Sequence, residues 1–114
     1  MLTIYHNPRC SKSRQTLQLL RDHGYEPEII EYLKTPLTAS QLKSLIAMLD
    51  ISARELLRTS EADYKDNNLK NPDLNDKQLI DAMVTMPKLM QRPIVVSGTK
   101  AAIGRPPEAV MDIL

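Results

Sequence analysis

Cys10 is the only cysteine in the chain, and it lies where a segment that reads as a strand gives way to one that reads as a helix. At such a junction the unpaired N–H groups of the first helical turn and the positive end of the helix dipole both face the sulfur. That setting favours thiolate over thiol and brings a cysteine pKa from about 8.5 into the range of roughly 3.5–7.5. The same position attracts oxyanions. Arg9, Lys12 and Arg14 add positive charge beside it, Ser11 and Ser13 offer hydroxyl donors, and His6 stands four residues upstream, placed to orient or polarise the group. On residue type alone a lone cysteine is as often inert core as it is reactive; its charged neighbours favour reactivity.

Three more arginines fall at marked places. Arg58 follows Leu56-Leu57, Arg92 directly precedes Pro93, and Arg105 directly precedes Pro106. Arg92 and Arg105 flank a predicted hairpin, so their forked guanidinium donors can approach each other and suit a tetrahedral oxyanion. Spacing by itself leaves a solvated surface arginine as the commoner outcome for each. His23, next to Gly24, is expected to cap a helix end.

Several chemistries are excluded. A Cys-x5-Arg phosphatase loop needs arginine at position 16, which is Thr16, and a Cys-x-x-Cys dithiol needs a cysteine at position 13, which is Ser13. His6, Cys10 and His23 have no standard zinc spacing, so no metal is expected. Only Gly24, Gly98 and Gly104 are present, too few for a glycine-rich phosphate loop. Fifteen basic against fourteen acidic residues give a formal charge of +1, and the aromatics are four tyrosines with no Trp or Phe. That balance offers neither a polyanion-binding surface nor stacking platforms, so no nucleic-acid partner is expected. No apolar run reaches the roughly eighteen residues of a membrane span, and Met1-Leu2-Thr3-Ile4-Tyr5 does not read as a secretory signal. A cytoplasmic location with a reduced cysteine is the expectation.

The elements that must position these residues are legible in outline. Leu2–Tyr5 reads as a strand ending at Asn7-Pro8, Ser11–His23 as a helix stopped by Gly24, and Pro27–Tyr32 as a second strand parallel to the first. The middle of the chain is helical. Thr38 with Gln41, Ser52 with Glu55 and Asn75 with Gln78 have capping-box spacing, and Leu37/Leu42, Ile51/Leu56 and Leu74/Leu79 bracket them as hydrophobic staples. Leu42, Leu45, Ile46 and Leu49 form a core-facing stripe, and a later helix carrying Leu79 and Met83 runs to about Pro87. Pro93–Val96 and Lys100–Ile103 read as an antiparallel hairpin about Ser97-Gly98-Thr99, followed by a short helix over Glu108–Leu114. With 114 residues and no linker, residues 1–114 are expected to form one α/β domain: βαβ, a helical insertion, then ββα.

Four blocks of this sequence resemble the glutaredoxin-coupled arsenate reductase family. They are Ile4-Tyr5-His6-Asn7-Pro8-Arg9-Cys10-Ser11-Lys12-Ser13-Arg14, Ile51-Ser52-Ala53-Arg54-Glu55-Leu56-Leu57-Arg58, Arg92-Pro93-Ile94-Val95-Val96, and Gly104-Arg105-Pro106-Pro107-Glu108. The resemblance implies a thioredoxin-like fold with a four-stranded mixed sheet. It also implies Cys10 as nucleophile, His6 and Ser13 as supports of the thiolate, Arg58, Arg92 and Arg105 as ligands of the oxyanion, and Pro93 as a cis proline facing the cysteine. Arsenate or another small oxyanion is then the substrate, glutathione a co-substrate and glutaredoxin a protein partner, with no bound cofactor. With no second cysteine, the chain needs an external thiol to complete a reduction. Ser11-Lys12-Ser13 departs from the Gly-Thr-Ser of the plasmid-borne enzymes, and the pattern is most similar to a short, chromosomally encoded branch. Two alternatives stand beside this one: a glutathione-dependent thiol oxidoreductase of the same fold acting on another substrate, and a non-enzymatic Spx-like transcription regulator. The redox-sensing Spx proteins use a Cys-x-x-Cys pair that this chain lacks.

Overall fold

The computed structural model describes residues 2–114. The chain divides into two compact units: residues through Thr35 together with Arg92–Leu114, and Pro36–Gln91.

The first unit holds a four-stranded sheet in the order β2-β1-β3-β4. Strand β1 (Leu2–His6) leads through helix α1 (Ser11–Asp22) to β2 (Glu28–Glu31), and β3 (Ile94–Ser97) turns back into β4 (Lys100–Ile103). β1 and β2 are parallel, with Ile4 beside Ile29, while β1–β3 and β3–β4 are antiparallel, with Ile4 beside Val95 and Val95 beside Ala102. This mixed α/β sheet has the element order expected from the sequence. Ile4, Leu17, Leu20, Val95 and Val110 close into an apolar core, each such side chain contributing about 1.5–3 kcal/mol on full burial. Strand periodicity puts His6 on the same side of β1 as Ile4, and both are buried.

The hairpin is one residue tighter than its sequence signals imply: Ser97 pairs with Lys100 as the last strand residue, and the turn passes through Gly98 at φ +61°. The closing segment, Pro107–Ile113, is a 3-10 helix that buries Pro107 and Val110. Pro106 before it and Pro107 at its first position lack N–H donors and favour a tight, short element.

The second unit contains α2 (Ala39–Leu49), a 3-10 turn at Arg54–Leu56, α3 (Ala62–Asp66), α4 (Asp76–Thr85) and a second 3-10 turn at Pro87–Leu89. Thr38/Gln41 and Asn75/Gln78 form complete capping boxes. Ser52/Glu55 forms the same reciprocal pair, at 3.1 and 3.2 Å, but heads only three residues of 3-10 helix. The side chain of Arg54 explains the early stop. Its guanidinium donates to the carbonyls of Leu69 and Asn71 at 2.8 and 2.9 Å, tying this turn to a distant loop instead of extending a helix. Of the expected α2 stripe, Leu42 and Leu45 are buried, and Ile46 and Leu49 are half-buried.

Candidate active site

The loop between β1 and α1 is built before any chemistry is asked of it. Asn7 accepts the N–H of Cys10 on its carbonyl and the N–H of Arg9 on its side-chain oxygen, both at 3.0 Å, and the Arg14 guanidinium donates to the Pro8 carbonyl at 2.9 Å. Arg14 therefore braces the loop instead of adding charge directly at the sulfur. Cys10 is the N-cap residue of α1, in extended conformation, and it is 9% exposed.

Opposing influences act on the Cys10 thiol. Burial pushes its pKa up, yet the net direction is down, because the Ser13 N–H, the Arg92 guanidinium and the Lys12 N–H all favour the thiolate. The sulfur makes no cap hydrogen bond of regular geometry to the first turn, so the amides act on it as oriented dipoles. Arg105 also reaches the sulfur, Nη2 donating to Sγ at 3.7 Å. Its Nε donates to the Arg92 carbonyl at 2.8 Å, which fixes one arginine through the backbone of the other. The two residues flanking the hairpin thus meet at the cysteine.

His6 and Ser13 meet as well. The His6 Nδ1 lies 2.6 Å from Ser13 Oγ, which also accepts the Asn7 N–H at 3.0 Å. Burial lowers the His6 pKa against the opposing pull of Glu31, with Arg21 and Arg14 lowering it further. The Ser13 hydroxyl receives the amide of Asn7 and shares its second hydrogen bond with the His6 ring, whose tautomer sets the direction of that bond. Ser13 is fully buried and held at both ends, and its own N–H is the one that favours the Cys10 thiolate. His6 and Cys10 are thus linked through Ser13, which contacts the one by its hydroxyl and the other by its N–H.

The peptide bonds Arg92–Pro93 and Arg105–Pro106 are both cis. The first was implied by the resemblance; the second has no counterpart in the sequence reading. Gly104, between the hairpin and Arg105, carries another unforeseen constraint. A Cβ there would lie 2.5 Å from Thr16 Oγ1 and 2.8 Å from Pro93 Cγ, so only glycine lets the chain pass between α1 and the proline. Its N–H donates to the Pro93 carbonyl at 2.9 Å. Arg58 belongs to the other unit, where Glu61 Oε1 holds its Nε at 3.3 Å and its N–H donates to the Leu89 carbonyl. His23 caps α1 as expected, its ring donating to the Leu19 carbonyl at 2.9 Å.

The profile of the ArsC family matches residues 5–113. The chain belongs to the ArsC family. It is 56% identical to the Escherichia coli K12 protein YfgD, across 97% of this chain and 94% of that one. It is 46% identical to the arsenate reductase of Haemophilus influenzae, across 97% of each. The solved arsenate reductase of Vibrio cholerae superposes with a TM-score of 0.98 at 46% identity, covering 99% of this chain and 97% of that one. The fold is the thioredoxin-like one of these ArsC structures, and the cysteine and paired arginines of this ArsC chain lie in its sheet-bearing unit.

One member of this site escaped sequence reasoning. Tyr32, just past β2, is fully buried, and among the described residues its hydroxyl has no hydrogen bond of regular geometry. It faces Asn7, Arg92 and Cys10: burial raises its pKa, Arg92 and Asn7 lower it, and Cys10 raises it. A buried aromatic at a strand end reads as core, and only the return of the chain at Arg92 gives it a polar neighbour. Chemically, the assembly offers a thiol of lowered pKa with two guanidinium groups beside it. Among the described residues no group of three or more His, Cys, Asp or Glu is placed to hold a metal ion, and no helix is long and apolar enough to cross a membrane.

Proposed function

We propose that this chain reduces arsenate to arsenite with Cys10 as nucleophile. The observation that carries the reading is the pairing of Arg92 and Arg105 at a Cys10 sulfur whose pKa is lowered. In the first step the thiolate attacks arsenic and an arsenate oxygen leaves as water, giving a thioester of arsenic(V) whose negative oxygens face the arginines. Glutathione displaces a second oxygen as water, forming a second sulfur–arsenic bond. A glutaredoxin thiolate then attacks the glutathione sulfur. The electron pair of that sulfur–arsenic bond passes to arsenic, reducing it from V to III, while glutaredoxin and glutathione leave as a mixed disulfide. Hydrolysis of the remaining bond frees arsenite and restores Cys10. His6 and Ser13 hold the thiolate, and Arg58 is the third anion ligand in this reading.

Cytoplasmic action follows from the need for a reduced cysteine and a glutathione pool. The family match across 109 residues, 5–113, which includes parts of both compact units, supports treating 1–114 as one functional domain. The deciding assay is arsenite formation from arsenate with glutathione, glutaredoxin and a recycling system. Turnover by the wild type and none by Cys10→Ser is the expected result. A glutathione adduct on Cys10 without arsenate turnover would instead favour a thiol oxidoreductase acting on another substrate.

A further inference from the structure

A groove of about 480 Å³ opens between α1 and the segment that follows β4. Helix α1 supplies Lys12, Gln15, Gln18 and Asp22 to one wall, and Pro106 and Glu108 stand on the other. One end of it adjoins the site: Lys12 is two residues from Cys10, and Pro106 follows the arginine whose guanidinium reaches the sulfur at 3.7 Å. Nothing in the reaction of Cys10 with an oxyanion uses this space.

The groove's chemistry excludes the oxyanion itself. Two carboxylates face one lysine, a balance that repels a multiply charged anion, and the volume lies within the roughly 300–1,000 Å³ of organic-ligand sites. The charges are also ordered along the helix. Lys12 stands at the cysteine end, the amides of Gln15 and Gln18 follow, and Asp22 is farthest. Gln18 Nε2 already donates to Asp22 Oδ1 at 2.8 Å, whereas Lys12 and Glu108 enter none of the ion pairs among the described residues. The available ionic contacts are thus a cation near the cysteine and an anion across the groove. At 1.5 Å per residue, Lys12 and Gln18 are about 9 Å apart along the axis, and an extended tripeptide spans roughly 10–11 Å.

We propose that this groove seats the thiol co-substrate, glutathione, with its glycyl carboxylate at Lys12 and its γ-glutamyl ammonium at Glu108. The proposal rests on the arsenate reductase reading for the identity of the co-substrate. It assigns Lys12, the lysine that replaces a small residue of the plasmid-borne enzymes, a role in binding the second substrate. Gln15 and Gln18 pair with the peptide groups, and the central cysteine, one residue from the glycyl carboxylate at Lys12, turns its thiol toward Cys10. The thiol then approaches arsenic from the side of α1, while Arg92 and Arg105 hold the oxyanion.

The test uses S-methylglutathione, which cannot react, titrated into the full chain by amide NMR without arsenate. Binding is expected to shift the amides of Lys12, Gln15, Gln18 and Glu108, and Lys12→Glu is expected to weaken it about tenfold through the reversed charge. S-methyl-cysteinylglycine lacks the γ-glutamyl group, so it is expected to bind the wild type about threefold to fivefold more weakly, the worth of one exposed ion pair. In Glu108→Gln the two ligands are expected to bind alike. Shifts confined to other surfaces, no binding, or affinities indifferent to both substitutions overturn the assignment. Because the titration involves neither arsenate nor turnover, its failure is distinct from a failure of wild-type arsenite formation, which would overturn the catalytic reading.

Discussion

The two units of this chain are ordered by different kinds of interaction. In Pro36–Gln91 the helix starts are set by neighbours in sequence: capping boxes at Thr38 and Asn75, a reciprocal pair at Ser52 and Glu55, and ion pairs Arg58–Glu61 and Lys77–Asp81 three or four residues apart. In the sheet-bearing unit the decisive contacts join distant segments, as where Arg105 meets Cys10 and Gly104 passes Thr16. Buried polar groups separate the units in the same way. His6, Asn7, Ser13 and Thr16 are all buried in the first; hydrogen bonds tie His6, Asn7 and Ser13 together beside the cysteine, and Thr16 donates to the Lys12 carbonyl. Burial of such groups is costly unless each is satisfied, so this unit gives up apolar packing to hold a reactive group in place.

That contrast can be broken most sharply at the arginines. Arg92→Ala is expected to lower arsenite formation by about 10²–10³-fold, the scale of losing one oriented donor to developing charge, while the thermal melt moves little. A variant that melts far earlier and retains activity per folded molecule would make Arg92 structural. Gly104→Ala comes next. The added methyl must displace Thr16 and Pro93, at a cost of about 1–3 kcal/mol for overpacking, and it should also slow Cys10 alkylation by moving Arg105. Urea unfolding and iodoacetamide kinetics on the same sample read both effects, and an unchanged pair of values would show that the passage yields freely.

The helical unit should respond in the opposite sense. Thr38→Ala and Asn75→Ala each remove a cap worth about 1 kcal/mol, and both are expected to lower the urea midpoint without altering the rate of Cys10 alkylation. Altered alkylation would mean that the local order of 36–91 is transmitted to the cysteine. The smallest effect is a pH dependence. Burial opposes the Cys10 thiolate, but the Ser13 N–H and Arg92 prevail and hold the native pKa below its ordinary value. The thiolate's contribution to stability is therefore fully present above the unfolded thiol's pKa and is lost as pH falls through the native one. The difference in unfolding free energy between wild type and Cys10→Ser should rise with pH across that window and then level off; a flat difference would place the native thiol at its ordinary pKa.

Sequence was most informative where the physics is local. The caps at Thr38 and Asn75, the stop after α1 at Gly24, the hairpin and the strand-to-helix position of Cys10 all depend on residues a few positions apart, so spacing alone exposes them. It was least informative where a local signal competed with a distant partner. Ser52 and Glu55 form their predicted pair, yet Arg54 is drawn to Leu69 and Asn71 and the turn stays 3-10. Arg14 resembles a charge for the sulfur and is taken by Pro8.

By itself, then, the sequence determined the order of elements, the presence of one thiol at a helix start, and the need for an outside thiol to finish any reduction. Tertiary structure decided that Arg92 and Arg105 lie beside that thiol, why position 104 must be glycine, and that the buried Tyr32 neighbours Arg92. Guanidinium groups reach across several ångströms on flexible stems, and residues 10, 92 and 105 are separated by up to 95 positions. Spacing brings Arg92 and Arg105 to the two ends of one hairpin, but the pairing of β1 with β3 and the return of the chain beside α1 bring them to Cys10.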